Sequence, residues 1–470
     1  MNLLQKIAED EILNIICNEF DEEVYLVGGA VRDFALGKPT YDRDLIVCNA
    51  DARDFSLRLA ERFDATFVPL DEVNKIYRLV FKDKLNYLDV TNPIENSLTA
   101  DLKRRDLTIN SVAVNLKSKD IIDLNGGLND LKNGVINYIS EQNFIDDPLR
   151  LLRIFRFQAN LGFVVAPELL EIVSSLKHLI RKPAFERVNY EIVKLFGGNY
   201  AHIALLAMDE CGLLEEIFPF VKELKQVPKN LHHHLDLFNH SVETVKQISK
   251  IYSNLSDDVV EHLNRVDFGG LPRIAHLRFA GFLHDIGKFS TWTIEGERHR
   301  FIKHDDVGAK IAQKLLKEMK FSNKQIDYLT LMIKFHIYPS HVMSSPQITD
   351  KIMMRFVRKM DQNAIDNIIL AMADRLSARG PEITDAIVDK NINALYKLLE
   401  FYLDKQHILE PLPKLLNGND VIKILKIKPS PMLGEILDAM YEAQLNSEIL
   451  TREDAILFVK SYFDTHNDKK

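Results

Sequence analysis

Cysteine is scarce in this chain: its 470 residues include only Cys17, Cys48 and Cys211, and their spacing matches no zinc-binding pattern. A disulfide-stabilised secreted domain is therefore excluded, and we expect reduced thiols. Apolar runs of about 20 residues, the length that spans a membrane, are also lacking. The N-terminal residues do not resemble a signal peptide. We expect a cytoplasmic protein that does not contact a membrane.

Positive charge is also in short supply, since 60 Lys and Arg residues stand against 68 Asp and Glu residues and the net charge is −8. Proteins that bind nucleic acids are often basic overall, so this balance argues weakly against an RNA partner. It does not exclude one, because local basic patches make the contacts with phosphates. Clustered acidic residues also suit metal ions. No pattern indicates an oligomeric state.

The length predicts three or four domains, and the order of patterns predicts an α+β fold class. Apolar spacing predicts a helix over residues 1–20. Short runs rich in β-branched and aromatic residues then predict a mixed sheet, with strands at 24–27, 45–47, 77–81, 87–90 and 111–114. After Gly126 and Gly127 the strands stop, and the pattern is helical, broken by glycine and proline. A mixed-sheet head is therefore followed by an all-α body.

A pair of glycines, Gly28 and Gly29, stands where the first predicted strand ends and a helix begins. Glycine lets a backbone approach a phosphate closely, and a helix N-terminus offers free N–H groups to an anion. Arg32, in the first turn, can hold phosphate oxygens through two hydrogen bonds. For a glycine pair alone, a plain strand–turn–helix corner is the alternative.

Two carboxylates follow about ten residues later. Asp42 and Asp44 alternate along a predicted strand, so both lie on the same face of the sheet. Carboxylates this close repel unless cations lie between them, and two-metal phosphoryl transfer uses this arrangement. One Mg²⁺ would activate a 3′-hydroxyl, and the other would hold a triphosphate. Asp42 and Asp44 are thus candidate catalytic and metal-binding residues, and a solvated acidic turn is the alternative.

A third stretch repeats charged residues at helical spacing. Asp147, Arg150 and Arg153 are three residues apart, so one helix would place them on one stripe. An arginine and an aspartate can offer donors and acceptors to the edge of a base. The alternative is a surface helix with ion pairs.

Together these stretches resemble the bacterial class II tRNA nucleotidyltransferase and poly(A) polymerase family. The resemblance lies in residues 26–33 (LVGGAVRD), 42–44 (DRD), 101–110 (DLKRRDLTIN) and 146–157 (DDPLRLLRIFRF). It implies a head of the polymerase β type, tRNA as the partner, and CTP and ATP as substrates.

The resemblance also implies residue roles. Asp147 and Arg150 would read the base, and Arg153 would help to hold the nucleotide. The other candidate nucleotide-binding residues are Asp33, Arg105 and Arg156. Asp89, on a neighbouring predicted strand, is a candidate third Mg²⁺ ligand, with a turn-capping acid as the alternative. Asp146 stands where the family usually has Glu.

The loop between Asp89 and Asp101, residues 91–100, is short. In the family that the chain resembles, a shortened loop here is associated with enzymes that add only two cytidines. Addition of CCA from CTP and ATP is therefore the leading hypothesis, and addition of CC from CTP is the alternative. A poly(A) polymerase is a further alternative.

A second set of candidate metal ligands lies in the helical body. His284 and Asp285 are adjacent and can bind one metal ion from a helix. Imidazoles and carboxylates suit Mn²⁺, Ni²⁺, Co²⁺, Fe²⁺ or Zn²⁺. With His240, His304, His336 and Asp374, they resemble in order the HD superfamily of metal-dependent phosphohydrolases.

That resemblance covers residues 231–380 and implies a phosphodiesterase or phosphatase activity. A degenerate HD fold kept for structure is one alternative, and an active HD domain beside an inactive head is another. The run His232, His233 and His234 is interpreted as a helix start or a surface feature and not as a ligand set.

The two resemblances divide the chain into four expected domains. They are a nucleotidyltransferase head (1–124), a helical neck that selects the nucleotide and binds RNA (125–220), an HD phosphohydrolase domain (221–380) and a helical C-terminal module that binds tRNA (381–470).

Overall fold

The computed structural model describes residues 3–231, 233–296, 298–345, 347–405, 413–445 and 448–467. Backbone contacts divide the chain into two compact units. Unit 1 comprises Met1–Lys225, Val266–Phe279 and Leu315–Gln325, and unit 2 comprises Gln226–Arg265, Ala280–Lys314 and Ile326–Lys470. The predicted α+β fold class is confirmed, since a mixed sheet is followed by a predominantly helical body.

The single helix predicted over residues 1–20 is wrong. Two helices, α1 (Leu3–Glu9) and α2 (Glu11–Glu19), are separated at Asp10. The Asp10 carboxylate accepts a hydrogen bond from the Leu13 N–H at 3.0 Å and so caps α2. Aspartate is favoured at such a cap. The apolar spacing continues across the break, because Ile7 and Ile16 both face the core, and it therefore hides the cap.

Seven strands of unit 1 form one mixed sheet. They are β1 (Val24–Val27), β2 (Asp42–Val47), β3 (Thr66–Asp71), β4 (Ile76–Val80), β5 (Tyr87–Thr91), β6 (Val112–Asn115) and β7 (Ile121–Asp123). Their order is β3-β4-β5-β2-β1-β6-β7. Neighbouring strands are antiparallel except β2 and β5, which run parallel. The five predicted strands are confirmed in position, and β3 and β7 are additional edge strands.

Both faces of the sheet are covered. Leu26 of β1 packs with α3 (Gly29–Ala35) and α4 (Ala52–Phe63) in the larger core. Tyr25 and Val27 pack on the other face with Leu102 of α5 (Leu98–Lys103). A strand covered on both faces reads as a continuous apolar run, as β1 does.

The prediction that strands stop after Gly126 and Gly127 is wrong. β8 (Val135–Ile136) pairs with β9 (Val164–Val165), and β10 (Trp292–Glu295) pairs with β11 (Arg298–Phe301). The first two are too short to produce an alternating pattern. The latter two form a polar hairpin, and Gly296 adopts a positive φ of 63° after β10, which suits a tight turn.

The remaining α-helices follow in chain order. They are α6 (Gly127–Asn133), α7 (Gln142–Asp146), α8 (Leu149–Leu161), α9 (Pro167–Leu176), α10 (Phe185–Gly197), α11 (Ala201–Glu210), α12 (Leu213–Ile217), α13 (Val221–Leu224), α14 (Leu237–Tyr252), α15 (Asp257–Asn264), α16 (Arg273–Leu283), α17 (Lys288–Thr291), α18 (His304–Glu318), α19 (Asn323–Phe335), α20 (Tyr338–Met343), α21 (Asp350–Met360), α22 (Ala364–Ser377), α23 (Asp385–Lys405), α24 (Gly418–Leu425), α25 (Pro431–Leu445) and α26 (Arg452–Asn467).

The last three helices share a small apolar core that includes Val421, Ile436 and Val459. Among the described residues, no helix combines the length and the apolar character needed to span a membrane.

Candidate active sites

The glycine pair forms the turn between β1 and α3. Gly28 has a φ of 71° and a ψ of −135°, a backbone conformation that residues with a side chain rarely adopt. A Cβ atom on Gly28 would lie 2.8 Å from both Arg105 Nη1 and Asp44 Oδ2. Glycine is therefore required for two reasons, and the turn brings the start of α3 directly beside Arg105 and Asp44.

Three carboxylates meet beside this turn. β2 presents Asp42 and Asp44, and parallel pairing with β5 places Asp89 opposite Asp44. One oxygen of each side chain lies within 4.8 Å of the other two. Burial raises the pKa of Asp44 to about 6; Arg105 opposes the shift, and Asp42 and Asp89 add to it. A bound cation would therefore favour ionisation of all three carboxylates.

Asp89 differs from the other two carboxylates in its partner. Arg78 donates from Nε and Nη2 to its two oxygens, each at 2.7 Å, and this pairing raises the pKa of Arg78. Within the described part of the chain, Asp42 and Asp44 form no ion pair. Their oxygens are thus more available to a metal ion than those of Asp89.

A cavity of about 700 Å³ in unit 1 brings most of the predicted nucleotide site together. Asp33 and Asp89 are not among its lining residues. Asp33 instead pairs with Arg32, whose Nη2 lies 2.9 Å from Asp33 Oδ1. The predicted residues that line the cavity are Gly28, Gly29, Arg32, Asp42, Asp44, Arg105, Asp147, Arg150, Arg153 and Arg156.

The predicted helical stripe of Asp147, Arg150 and Arg153 is wrong at its first residue. Asp147 has an extended backbone (φ −134°, ψ 90°) between α7 and α8, because Pro148 disfavours a helical conformation in the residue before it. Arg150 and Arg153 lie on α8. Asp147 still approaches Arg150, with an Nε–Oδ2 distance of 4.0 Å.

A buried hydrogen-bond network connects α8 to the glycine turn. Arg153 Nε donates to Asp106 Oδ2 at 2.7 Å, Asn110 Nδ2 donates to Asp106 Oδ1 at 3.1 Å, and Arg32 Nη1 donates to Asn110 Oδ1 at 2.8 Å. Burial opposes the charge on Asp106, but Arg153 and Asn110 more than offset it, so its pKa lies below the ordinary value. Two of the cavity's arginines are thereby held in fixed positions.

The second site lies in unit 2, where the six predicted metal ligands form two groups that share Asp285. Asp285 Oδ2 lies 3.1 Å from His284 Nε2 and 3.3 Å from His240 Nε2, whereas Asp285 Oδ1 lies 3.4 Å from His304 Nε2. One carboxylate therefore faces both groups. The groups are His240, His284, Asp285 and Asp374, and Asp285, His304 and His336.

The histidine rings are oriented for metal binding. Nδ1 of His284, His304 and His336 lies 2.8, 2.8 and 2.6 Å from a backbone carbonyl of the preceding turn. Because a carbonyl only accepts, each Nδ1 carries a proton, and each Nε2 faces the cluster, where it can bind a metal ion once it carries no proton.

Charge also favours a cation in this cluster. Burial lowers the pKa of His336 to about 4, so its ring is neutral, which is the form that binds metal. Burial opposes a charge on His284 as well, but Asp285 and Asp374 raise its pKa to about 10. The two carboxylates thus hold a positive charge, and the donor set fits a divalent metal ion in its place.

Three segments of the chain match family models. Residues 24–137 match the poly A polymerase head domain, 162–225 the probable RNA and SrmB-binding site of polymerase A, and 237–379 the HD domain. Over 444 residues the chain is 30% identical to the A-adding tRNA nucleotidyltransferase of Deinococcus radiodurans, a match that covers 93% of this chain and 95% of that protein. The chain belongs to the tRNA nucleotidyltransferase family.

Other relatives of this tRNA nucleotidyltransferase differ in the product that their names state. The CC-adding tRNA nucleotidyltransferase of Thermus thermophilus is 28% identical over 447 residues, with 93% of each chain covered. The multifunctional CCA protein of Acinetobacter baumannii is 32% identical over 343 residues, with 68% of this chain and 76% of that protein covered. Membership of the family therefore establishes an enzyme of tRNA processing, and it leaves the added nucleotides open.

Solved structures of CCA-adding enzymes share the fold of this tRNA nucleotidyltransferase. The Thermotoga maritima enzyme complexed with tRNA has a TM-score of 0.56 at 20% identity, with 98% of this chain and 99% of that chain covered. The Bacillus stearothermophilus enzyme in complex with CTP has a TM-score of 0.57 at 20% identity, with both chains fully covered.

Sequence reasoning missed two cationic residues on α10. Lys194 lines the cavity of unit 1, and Arg187 Nη2 lies 3.3 Å from Asp147 Oδ2. Their spacing of seven residues, two helical turns, places them on one face. The spacing alone could have predicted that both cations lie on one face of α10. It does not indicate which residues or ligand that face contacts.

Two residues beside the metal cluster were also missed. Lys288 Nζ lies 2.6 Å from Asp285 Oδ2, so it contributes a positive charge to the cluster. The His233 ring packs edge-on against His240, with ring centroids 4.7 Å apart. His233 belongs to neither ligand group, and His232 lies outside the described residues.

Proposed function

We propose that this enzyme extends the 3′ end of tRNA with CCA, using CTP and ATP. The observation that carries the proposal is the cavity in which Asp42, Asp44 and the Gly28 turn meet five arginines. Carboxylates bind metal ions and arginines bind phosphates, and nucleotidyl transfer needs both. The tRNA 3′ oxygen would attack the α-phosphorus, and the bond to pyrophosphate would break.

Asp42 and Asp44 are the proposed catalytic carboxylates, and they fit Mg²⁺, which prefers oxygen ligands. When bound, Mg²⁺ would neutralise the triphosphate and lower the pKa of the 3′-hydroxyl. We propose that Asp89 binds Mg²⁺ less strongly than Asp42 and Asp44 do, because Arg78 already donates hydrogen bonds to both Asp89 oxygens.

The phosphates would be held in the cavity beside the glycine turn. Gly28 and Gly29 leave room for them, and Arg32 and Arg105 offer charged donors. Arg153 and Arg156 complete the positive lining. Asp33, paired with Arg32, would act by positioning that arginine.

Asp147 and Arg150 are the proposed readers of the base. Arg150 Nη1 donates to the carbonyls of Arg104 and Asn143 at 2.7 and 3.2 Å, which fixes the guanidinium at the lining of the cavity. The Asp147 carboxylate would accept from an exocyclic amino group. Cytosine and adenine both carry one and uracil does not, which supports the use of CTP and ATP.

Addition of CC alone is the second candidate, and the segment after β5 favours it. Asn92 Nδ2 donates to the carbonyls of Val47 and Ala50 at 2.9 and 2.8 Å, and Ser97 caps α5. Asn92 therefore fixes the start of this short segment next to the end of β2, and Ser97 fixes its connection to α5. A short loop at this position is the feature that the family resemblance associates with CC addition. The A-adding relative makes addition of A alone a third product to test.

The test is nucleotide incorporation by the purified protein with Mg²⁺ and labelled CTP or ATP. Three tRNA substrates would be offered, ending at the discriminator base, after one C and after two Cs. Two Cs followed by one A would support the leading proposal. Incorporation of C only, or of A only on the last substrate, would move the enzyme to a partial product. Many As on any RNA would identify a poly(A) polymerase.

We propose a second activity, hydrolysis of phosphate esters at the metal cluster of unit 2. His240, His284, Asp285 and Asp374 would bind one ion, and Asp285, His304 and His336 would bind another. Nitrogen-rich donors of this kind suit Mn²⁺, Ni²⁺, Co²⁺, Fe²⁺ or Zn²⁺. When bound, such an ion would activate a water molecule. Metal-dependent hydrolysis of p-nitrophenyl phosphate, lost in His284→Ala, is the test.

Within this proposal, residues 1–124 transfer the nucleotide and 125–220 select it and hold RNA. Residues 221–380 carry the hydrolase, and 381–470 bind tRNA. The match of residues 162–225 to a probable RNA-binding segment supports the assignment of RNA binding to residues 125–220.

A further inference from the structure

Unit 2 contains a cavity of about 900 Å³ whose lining is strongly positive. The proposed nucleotide transfer does not use this cavity. Lys229, Arg298, Arg300 and Arg379 line it, and Glu382 is the single carboxylate among the described residues that line it. Arg298 and Arg300 both come from the β10–β11 hairpin. An excess of positive charge in a concave site favours an anionic ligand.

Two of these cations have no ion-pair partner within the part of the chain that the structure describes. Among the described residues, neither Lys229 nor Arg298 forms an ion pair. Arg300 pairs with Glu295 and Arg379 with Asp385, each at 2.7 Å. Those pairs are exposed, and exposed pairs are weak. A phosphate entering the cavity would thus meet donors that are free or easily released.

The cavity is next to the metal cluster. His233 lines both this cavity and the one that contains His304, His336 and Asp374, and its ring packs against the candidate ligand His240. A molecule with one phosphate at the cluster could therefore reach past His233 with another part of its structure.

We infer that the cationic cavity is a subsite for a second phosphate group of the hydrolase substrate. The inference rests on the proposed phosphohydrolase function and narrows it to substrates with a phosphate in addition to the one released. A water oxygen forms the new bond to the released phosphorus, the ester P–O bond breaks, and the alcohol oxygen takes a proton. The second phosphate stays on the alcohol product and is held by the cavity.

Trp292 provides a readout of binding that is independent of hydrolysis. It is the single tryptophan of the chain. Its Nε1 donates to His299 Nδ1 at 3.1 Å, and the two rings stack with centroids 5.5 Å apart. His299 lines the cationic cavity, so an anion bound there should change the fluorescence of Trp292.

The binding test titrates adenosine 3′,5′-bisphosphate into the full-length protein and into His284→Ala. We expect a saturable change in Trp292 fluorescence in both proteins. Arg298→Gln should weaken binding about tenfold, since a charge-assisted hydrogen bond is lost. Lys310→Gln is the matched control, because Lys310 is exposed and does not line the cavity. No fluorescence change, or equal losses in both variants, would overturn the inference.

The hydrolysis test compares three substrates that share a 3′-phosphate. Adenosine 3′-phosphate has no second phosphate, adenosine 3′,5′-bisphosphate has one on the same nucleoside, and the dinucleotide CpAp has one in a diester. We expect at least one of the latter two to exceed the first by about tenfold in kcat/KM, and Arg298→Gln to remove that preference. Whichever substrate has the higher kcat/KM shows whether the second phosphate belongs to a nucleotide or to an oligonucleotide.

The two tests separate this inference from the function on which it rests. Equal hydrolysis of all three substrates would overturn the inference and leave the phosphohydrolase standing. Binding that depends on Arg298 without any hydrolysis would overturn the phosphohydrolase and keep the anion subsite.

Discussion

Asp44 lies among three carboxylates, and its pKa of about 6 stands above the ordinary value of 3.8. Between these values the folded chain keeps a proton that the unfolded chain has lost, because the folded state is more stable with Asp44 protonated than with Asp44 ionised. That stabilisation is present at low pH and is lost as the pH rises through about 6. Without a metal ion, the ionised Asp44 therefore destabilises the head at neutral pH.

We expect Asp44→Asn to abolish nucleotide addition. In the presence of a chelator at about pH 8, the substitution should also raise the free energy of unfolding by about 1–3 kcal/mol. At about pH 4 the free energies of unfolding of the variant and the wild type should differ little. Denaturant unfolding at both pH values measures the effect. A variant no more stable than the wild type at the higher pH would contradict the raised pKa.

Side-chain types and spacing singled out Asp42, Asp44, Arg32 and Arg150, which line one cavity, because strand alternation and helical turns are local properties. The partners of these residues were not predictable in the same way. Arg78 reaches Asp89 through the pairing of β4 with β5, and no local pattern encodes that pairing. Such cross-strand contacts need the sheet order.

The turn from β1 to α3 gives a prediction with a matched control. Gly28→Ala should reduce nucleotide addition by at least about 100-fold, because the new Cβ would displace Asp44 and Arg105. Gly37 has a similar φ of 69°, and nothing lies within 4 Å of an added Cβ there. Gly37→Ala should therefore cost about 1 kcal/mol of stability and leave addition intact. Steady-state incorporation and thermal unfolding of both variants distinguish contact from backbone strain.

The break between α1 and α2 gives a stability prediction. Asp10 caps α2 and also pairs with the buried Arg43, at 2.6 Å. Asp10→Ala would leave a buried charge unpaired and should destabilise the head by about 3–5 kcal/mol. The exposed neighbour Glu9→Ala should change stability by less than about 0.5 kcal/mol. Equal unfolding midpoints for the two variants would show that the pair contributes little.

Strands whose own sequence carries a clear apolar pattern were predictable, and elements defined by their caps or by their partners were not. The apolar run of β1 marked it as a buried strand. β3 carries Pro69 and lies at the sheet edge, where proline is tolerated but obscures the pattern. The hairpin of β10 and β11 exposes most of its residues. β10 does alternate apolar and polar residues, a signal that was missed, whereas β11 shows no such alternation.

The two sites use different donors, which predicts separate metal requirements. Three carboxylates in unit 1 favour Mg²⁺, whereas four histidines and two carboxylates in unit 2 favour a transition metal. After chelation, Mg²⁺ should restore nucleotide addition, and Mn²⁺, Ni²⁺ or Co²⁺ should restore hydrolysis. Both activities assayed on one chelated preparation provide the measurement, and recovery of both by Mg²⁺ alone would contradict the assignment.

Separate sites should also respond separately to substitution. Asp42→Ala should abolish nucleotide addition and keep hydrolysis, and His284→Ala should do the reverse, since the two residues lie in different compact units. Loss of both activities from either single change would contradict the two-site proposal.

Arg43 stands between Asp42 and Asp44 on β2 and is buried on the opposite face, where it binds Asp10 and Asn86. A slip of β2 by one residue would turn Arg43 toward the metal site and the two aspartates away from it. The same slip would break the buried ion pair that stabilises the head. A register error therefore costs both the metal site and the stability of the head. The fraction of molecules that folds stably should equal the fraction in which the catalytic carboxylates are correctly placed.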